Sequence, residues 1–188
     1  MMSNKKLVLV AIATSAILVS AGLLVTNGLR ANDASAIGPE VRISVEGSVN
    51  HILNLTSSDI ENTTHVTVTS ELICVDRHSY GTHEWTGIRL SALLDEAGVL
   101  PSAVKVGFHA PDGYTTDLTL QDAMRQDVMI AFEMDGIALK EKTRLVVPGM
   151  WGYKWISGVD KIVLYDFDFK GKWESNGYPD NATIGVQE

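Results

Sequence analysis

Residues 71–87 read ELICVDRHSYGTHEWTG and hold the only cysteine of the chain, Cys74. Arg77, His78 and His83 follow within ten residues. A thiol beside a histidine suits nucleophilic chemistry, because the imidazole can take the thiol proton. Cationic neighbours also lower a thiol's pKa. The same three residue types, Cys74, His78 and His83, offer soft sulfur and imidazole ligands for zinc, although their spacing matches no structural zinc pattern. A free cysteine is equally at home as a small apolar core residue. A second cluster lies in residues 144–157, RLVVPGMWGYKWIS. Arg144 offers a planar donor fork and Lys154 a point charge, both suited to an anion. Gly149 and Gly152 let backbone approach a ligand closely. Against this, Trp151, Tyr153 and Trp155 have the make-up of core aromatics.

The elements that must place these residues follow from periodicity. Alternation predicts strands over 41–46, 51–55 and 65–75, which puts Cys74 at the C-terminal end of the third. Residues 76–85 are polar, contain Gly81 and read as a loop. Leu90, Leu93, Leu94 and Ala97 recur at helical spacing, and Gly98 stops the helix. Strands follow over 104–109, 114–118, 128–134, 144–147 and 159–166, with a short helix begun by Thr119 and Asp122 and ending at Arg125. Many short strands broken by two short helices predict an α+β domain with a mixed sheet. No glycine-rich phosphate fingerprint follows a strand.

The chain has 188 residues, 45 % of them hydrophobic, and a formal charge of −8. That is enough for one domain with a core, and the charge excludes nucleic acid as an expected partner. Residues 1–36 differ from the rest. Lys5 and Lys6 precede Leu7–Thr26, twenty residues without a charge. At about 1.5 Å per residue this spans a bilayer's hydrocarbon core. The lysines orient the N-terminus inward and residues 37–188 outward. Ala34-Ser35-Ala36 is a potential signal-peptidase site. The domain is therefore expected outside the cytoplasm, membrane-anchored, or secreted if cut after Ala36. Sequons at Asn54, Asn62 and Asn181 suit that address. There a lone cysteine is a free thiol, an intermolecular bridge or a ligand.

The order Cys74, EWTGIRLSALLDEAGV, FHAPDGYTTDLTL, IAFEMDGIAL, RLVVPGMWGYKWISGVDKIVLYD, WESNGYPD resembles the molybdopterin-binding domain of the sulfite oxidase family over residues 40–180. Short periplasmic relatives in that family include the catalytic subunit of the methionine sulfoxide reductase molybdoenzyme. The resemblance implies a mixed-sheet sulfite oxidase-type fold and a molybdenum–molybdopterin cofactor. It implies that Cys74 is the thiolate ligand to the metal and that Arg144, Gly152 and Lys154 bind the cofactor, the two cations meeting its phosphate. Arg77, His78 and His83 would line the substrate mouth. The implied activity is oxo transfer to or from a small-molecule donor or acceptor, with electrons exchanged with an external carrier. The chain departs from the family at Ser157, where relatives usually carry a lysine, and in VDRHSYG after the cysteine. A binding or scaffold module that keeps the fold without the cofactor is the second expectation.

Overall fold

The computed structural model describes residues 40–185. The expectations for residues 1–36 lie outside the described residues. Among those described, no helix is long and apolar enough to cross a membrane.

Two five-stranded sheets carry the fold. In the first, β1 (Arg42–Gly47) lies between β2 (Leu53–Thr56) and β10 (Lys161–Tyr165), followed by β5 (Lys105–His109) and β6 (Thr115–Thr119). β1 and β10 run parallel; the other neighbours are antiparallel, so the sheet is mixed. Ile43 and Val45 are buried while their neighbours are not, which is the alternation that defined the strand.

In the second sheet β3 (Val66–Ile73) pairs with β4 (Ser79–Arg89), and β4 with β7 (Met129–Met134). β8 (Ile137–Ala138) and β9 (Arg144–Val146) both pair with β7. The first four residues of β7 are fully buried, so a continuous apolar run takes the place of alternation.

The expected loop at 76–85 is corrected: β4 begins at Ser79, and only a tight turn separates it from β3. Its first arm is half exposed, and strands need no apolar face where nothing covers them.

α2 (Leu90–Ala97) buries Leu90, Leu93, Leu94 and Ala97, the residues of its predicted apolar face, and Gly98 caps it in the left-handed region at φ 66°. Two short helices begin on threonine caps. α1 (Ser57–Glu61) has a full capping box between Thr56 and Asp59, and α3 (Leu120–Ala123) is capped by Thr119. α1 lies in residues expected to carry no helix.

Candidate functional site

Cys74 is the residue just beyond β3. Its N–H donates to the His78 carbonyl at 2.9 Å, and the Arg77 N–H donates to the Cys74 carbonyl at 2.8 Å. Asp76 closes the turn by accepting from the His78 N–H at 2.9 Å. That bond, with a smaller contribution from the Cys74 thiol, holds the Asp76 carboxyl below its usual range. Arg77 takes φ 69°, a left-handed position that a turn this tight demands of one residue.

The 3-10 turn Gly152–Lys154 packs against this strand end. A Cβ on Gly152 would stand 3.1 Å from the Ile73 carbonyl oxygen and 3.6 Å from the Cys74 Cα. The glycine thus lets the aromatic loop close on the cysteine. Trp155 anchors the loop: it is buried, its ring meets that of Trp85 on β4 edge-on at 5.7 Å, and its Nε1 donates to the Met150 carbonyl. Such aromatic pairs add about 0.5–1.5 kcal/mol beyond area burial.

Between these pieces lies a cleft of about 470 Å³. Cys74, Arg144 and Gly152 all line it, with Tyr114, Tyr153 and Trp173 among the aromatic walls. Arg144 opens β9. Its Nε and Nη2 donate to Glu141 Oε1 at 2.9 and 2.6 Å, and Nη1 donates to the Trp155 carbonyl at 3.2 Å. A neighbouring groove of about 420 Å³ shares Leu72, Tyr80 and Arg144 with the cleft.

Four expected site residues stand elsewhere. Lys154 does not reach the cleft: its side chain is fully buried and Nζ donates to the Asp117 carbonyl at 2.8 Å and pairs with Glu174 at 2.6 Å. The side chain following the glycine-aromatic turn points into the core, where an acidic partner waits. Arg77 and His78 sit exposed at the tip of the β3–β4 turn and are not among the cleft's lining residues. The turn geometry that fixes Cys74 carries them past the mouth. His83 lines the neighbouring groove, held by Asp135 and the Tyr80 carbonyl. Cys74, His78 and His83 therefore do not converge, and among the described residues no cluster of three or more metal-ligating side chains exists.

Sequence reasoning missed Tyr80, Asp112, Tyr114 and Trp173 as cleft residues. All four lie in segments already singled out, Tyr80 in the cysteine stretch, Asp112 and Tyr114 in FHAPDGYTTDLTL and Trp173 in WESNGYPD, but none carried a signal of its own. Burial raises the pKa of both Tyr114 and Tyr153, with the nearby Glu174 charge adding to it. Both phenols stay neutral donors: Tyr114 to the Tyr153 carbonyl at 2.8 Å, Tyr153 to the Pro179 carbonyl at 2.6 Å.

One mixed and one antiparallel sheet with few short helices are the architecture of a sulfite oxidase-type molybdopterin domain. The crystal structure of the sulfane dehydrogenase SoxCD from Paracoccus pantotrophus superposes with a TM-score of 0.61 at 27 % identity, covering 68 % of this chain and 38 % of that one. The oxidoreductase molybdopterin binding domain family matches residues 33–173, and the chain belongs to it. The uncharacterized oxidoreductase YuiH of Bacillus subtilis is 27 % identical over 143 residues, 72 % of this chain and 71 % of that protein. Mitochondrial sulfite oxidase of Drosophila melanogaster is 32 % identical over 111 residues, 52 % of this chain but 19 % of that protein. A putative protein-methionine-sulfoxide reductase subunit, YedZ1, of Azospira oryzae is 25 % identical over 141 residues, covering 73 % and 53 %.

The family implies a molybdenum–molybdopterin cofactor, and the cleft meets it in three respects. It presents a thiol, the soft donor that a sulfur-rich metal centre takes. It presents an arginine fork, suited to a phosphate. Its size falls within the roughly 300–1,000 Å³ range of small-molecule sites.

Proposed function

We propose that this chain is an extracytoplasmic molybdopterin-dependent oxidoreductase in which Cys74 ligates molybdenum and Arg144 meets the cofactor phosphate. The observation that carries this reading is that the single thiol of a molybdopterin-family chain lines one cleft with a donor-fork arginine. When bound, the cofactor supplies a two-electron centre for moving an oxygen atom.

The remaining work belongs to the chain's own side chains. The backbone bonds of the 74–78 turn fix the cysteine. Glu141 and the Trp155 carbonyl aim the Arg144 guanidinium before any anion arrives, so little ordering is left for binding. Tyr114, Tyr153 and Trp173 give the cleft apolar walls that exclude water and strengthen charge interactions inside. The substrate is a small oxo donor or acceptor, and an external carrier exchanges the electrons. The apolar segment 7–26 with Lys5 and Lys6 supports a membrane anchor that holds the domain outside the cytoplasm.

Molybdenum per chain, measured on wild type and Cys74→Ser expressed with cofactor supply, tests the reading. The wild type should hold about one molybdenum and the variant almost none, since a hydroxyl is a harder and poorer ligand than a thiolate. Equal metal in both would remove Cys74 from the site.

A second reading, a cofactor-free binding module, is favoured by one observation. The cleft keeps Arg144 matched to Glu141, while Lys154 is withdrawn. Wild type without molybdenum under those conditions would establish it.

A further inference from the structure

β3 closes one end of the second sheet. It pairs with β4, and among the described residues no other strand or loop backbone bonds to its outer edge. Unpaired N–H and C=O groups along an edge template a further strand, so proteins usually guard them with lysine, proline or a bulge. β3 is poorly guarded. Its sequence, VTVTSELI, holds no lysine and no proline, and Glu71 is its single charge. The register shift against β4 comes only at the far end, between Glu71 and Ile73. Val66, Thr67, Val68 and Thr69 are all β-branched, which suits an extended, pleated partner.

The apolar side of the strand is unfinished as well. Val68 stands opposite Trp85 and Val66 opposite Gly87. Those two β4 residues are buried, whereas Val66, Val68 and Leu72 stay half-buried although they pack on the core. The flank away from β4 is where another strand would cover them.

The strand's own residues decide which strand fits. Two copies of β3 set antiparallel about Val68 bring Thr67 against Thr69, Val66 against Ser70 and His65 against Glu71, each pair twice. Cross-strand threonine pairs and opposite charges are favourable contacts. His65 and Glu71 are both exposed and both held in place. His65 Nε2 donates to the Ile60 carbonyl at 2.9 Å and its ring meets Phe132 edge-on, so Nδ1 is left for a partner. Glu71 accepts from the Ser79 hydroxyl through Oε1, leaving Oε2. Centring the pair on Thr67 or Thr69 instead would set Glu71 against Thr63 or Thr67 and lose both ion pairs.

We propose that β3 is the edge through which two copies of this chain associate, antiparallel about Val68, with His65 of each copy meeting Glu71 of the other. The two Cys74 residues then lie at opposite ends of the seam, roughly 40 Å apart along the strands, so each cleft stays with its own copy. The pairing does not depend on the cofactor.

Sedimentation equilibrium of the full-length protein in density-matched detergent tests this over the micromolar range. A dimer that dissociates within that range is expected, because a single strand edge makes a small interface. Thr67→Lys with Thr69→Lys, which gathers four lysines at the seam, should weaken it by at least about tenfold. Glu71→Lys should weaken it by about tenfold, and adding His65→Glu should restore it, since the pair is then reversed rather than removed. Circular dichroism shows which variants fold. Where a charge variant does not fold, Val68→Cys in a Cys74→Ser background decides: a short bismaleimide should join two copies through that position. A wild type that stays monomeric throughout overturns the proposal, as it would if another segment of the chain took the edge. So does a dimer that the lysines leave unchanged, a reversed pair that folds without restoring association, or a Val68→Cys protein that does not cross-link.

Discussion

The Lys154 ammonium lies 2.6 Å from the Glu174 carboxylate, and neither side chain reaches solvent. The pair belongs to a wider network. Asp117, also buried, takes Lys105 at 2.6 Å and the Gly171 N–H at 3.0 Å, and Lys105 reaches on to Asp180 at 3.1 Å. Burial alone would pull the Lys105 pKa down, but bonds and charge from Asp117 and Asp180 outweigh it and raise it. The network thus ties β5, β6 and the 152–154 turn to the C-terminal segment that carries Trp173.

Lys154→Met should destabilise the fold by about 3–5 kcal/mol, because it strands buried carboxylates without their cation. Lys154→Met combined with Glu174→Leu should cost clearly less than the sum of the single changes, since the charges leave together. Chemical denaturation of the three variants measures this. A Lys154→Met protein as stable as wild type would remove the network from the fold's supports.

Arg144→Ala should lower cofactor retention by about one to two decades, from the loss of a charge-assisted bond of roughly 1.5–3 kcal/mol. Arg144→Lys should recover part of it, the charge returning without the fork. Glu141→Gln should hold cofactor at least as well as wild type, because Glu141 competes for the same guanidinium. Molybdenum per folded chain is the readout. Unchanged occupancy in Arg144→Ala would leave Arg144 only its bonds to Glu141 and Trp155.

Gly152→Ala should cost about 1–3 kcal/mol, as overpacked positions do. The new methyl would press on the Ile73 carbonyl oxygen at 3.1 Å and Leu72 Cδ1 at 3.3 Å, pushing the aromatic loop off the cysteine's strand. Thermal unfolding should fall together with metal retention. A loss of stability without loss of metal would show that the loop's distance from Cys74 is immaterial.

His83 carries a pH signature. Its Nδ1 faces Asp135 at 2.7 Å and its Nε2 the Tyr80 carbonyl at 2.9 Å. Both partners accept, so only the imidazolium satisfies both. Asp135 first, then the carbonyl, raise its pKa. The contribution is therefore fully present below the ordinary histidine value of about 6.5 and is lost as pH rises through the raised folded value. An NMR titration should place His83 higher in wild type than in Asp135→Asn. Equal values would show that the pair is not formed in solution.

Much of this was legible in the residues. Alternation located β1, β5, β6 and β10 to within a residue or two, and α2 announced both its apolar face and its glycine stop. Cys74 was expected at a strand's C-terminal end and sits one residue past it. β4 was lost because its exposed arm shows no apolar alternation; pairing with β3 and β7 holds it as a strand. The inward turn of Lys154 depends on Glu174 and Asp117, partners that only the folded chain brings near. The cleft's walls fail for the same reason: Asp112 and Tyr114 come from one turn and Trp173 from a segment far along the chain, and none has a local pattern that points to a ligand.

The parallel pairing of β1 with β10, Ser44 against Lys161 through Gly47 against Leu164, has a consequence for synthesis. The ribosome releases β1 and β2 early, and they can close as a hairpin at once. The other edge of β1 has to wait for a strand made more than a hundred residues later, so the first sheet stays open through most of translation. An open edge with Ile43 and Val45 behind it is a template for neighbouring nascent chains. Chains cut short before Lys161 should therefore aggregate or engage chaperones, whereas the full-length chain seals its own edge as one of its last folding events.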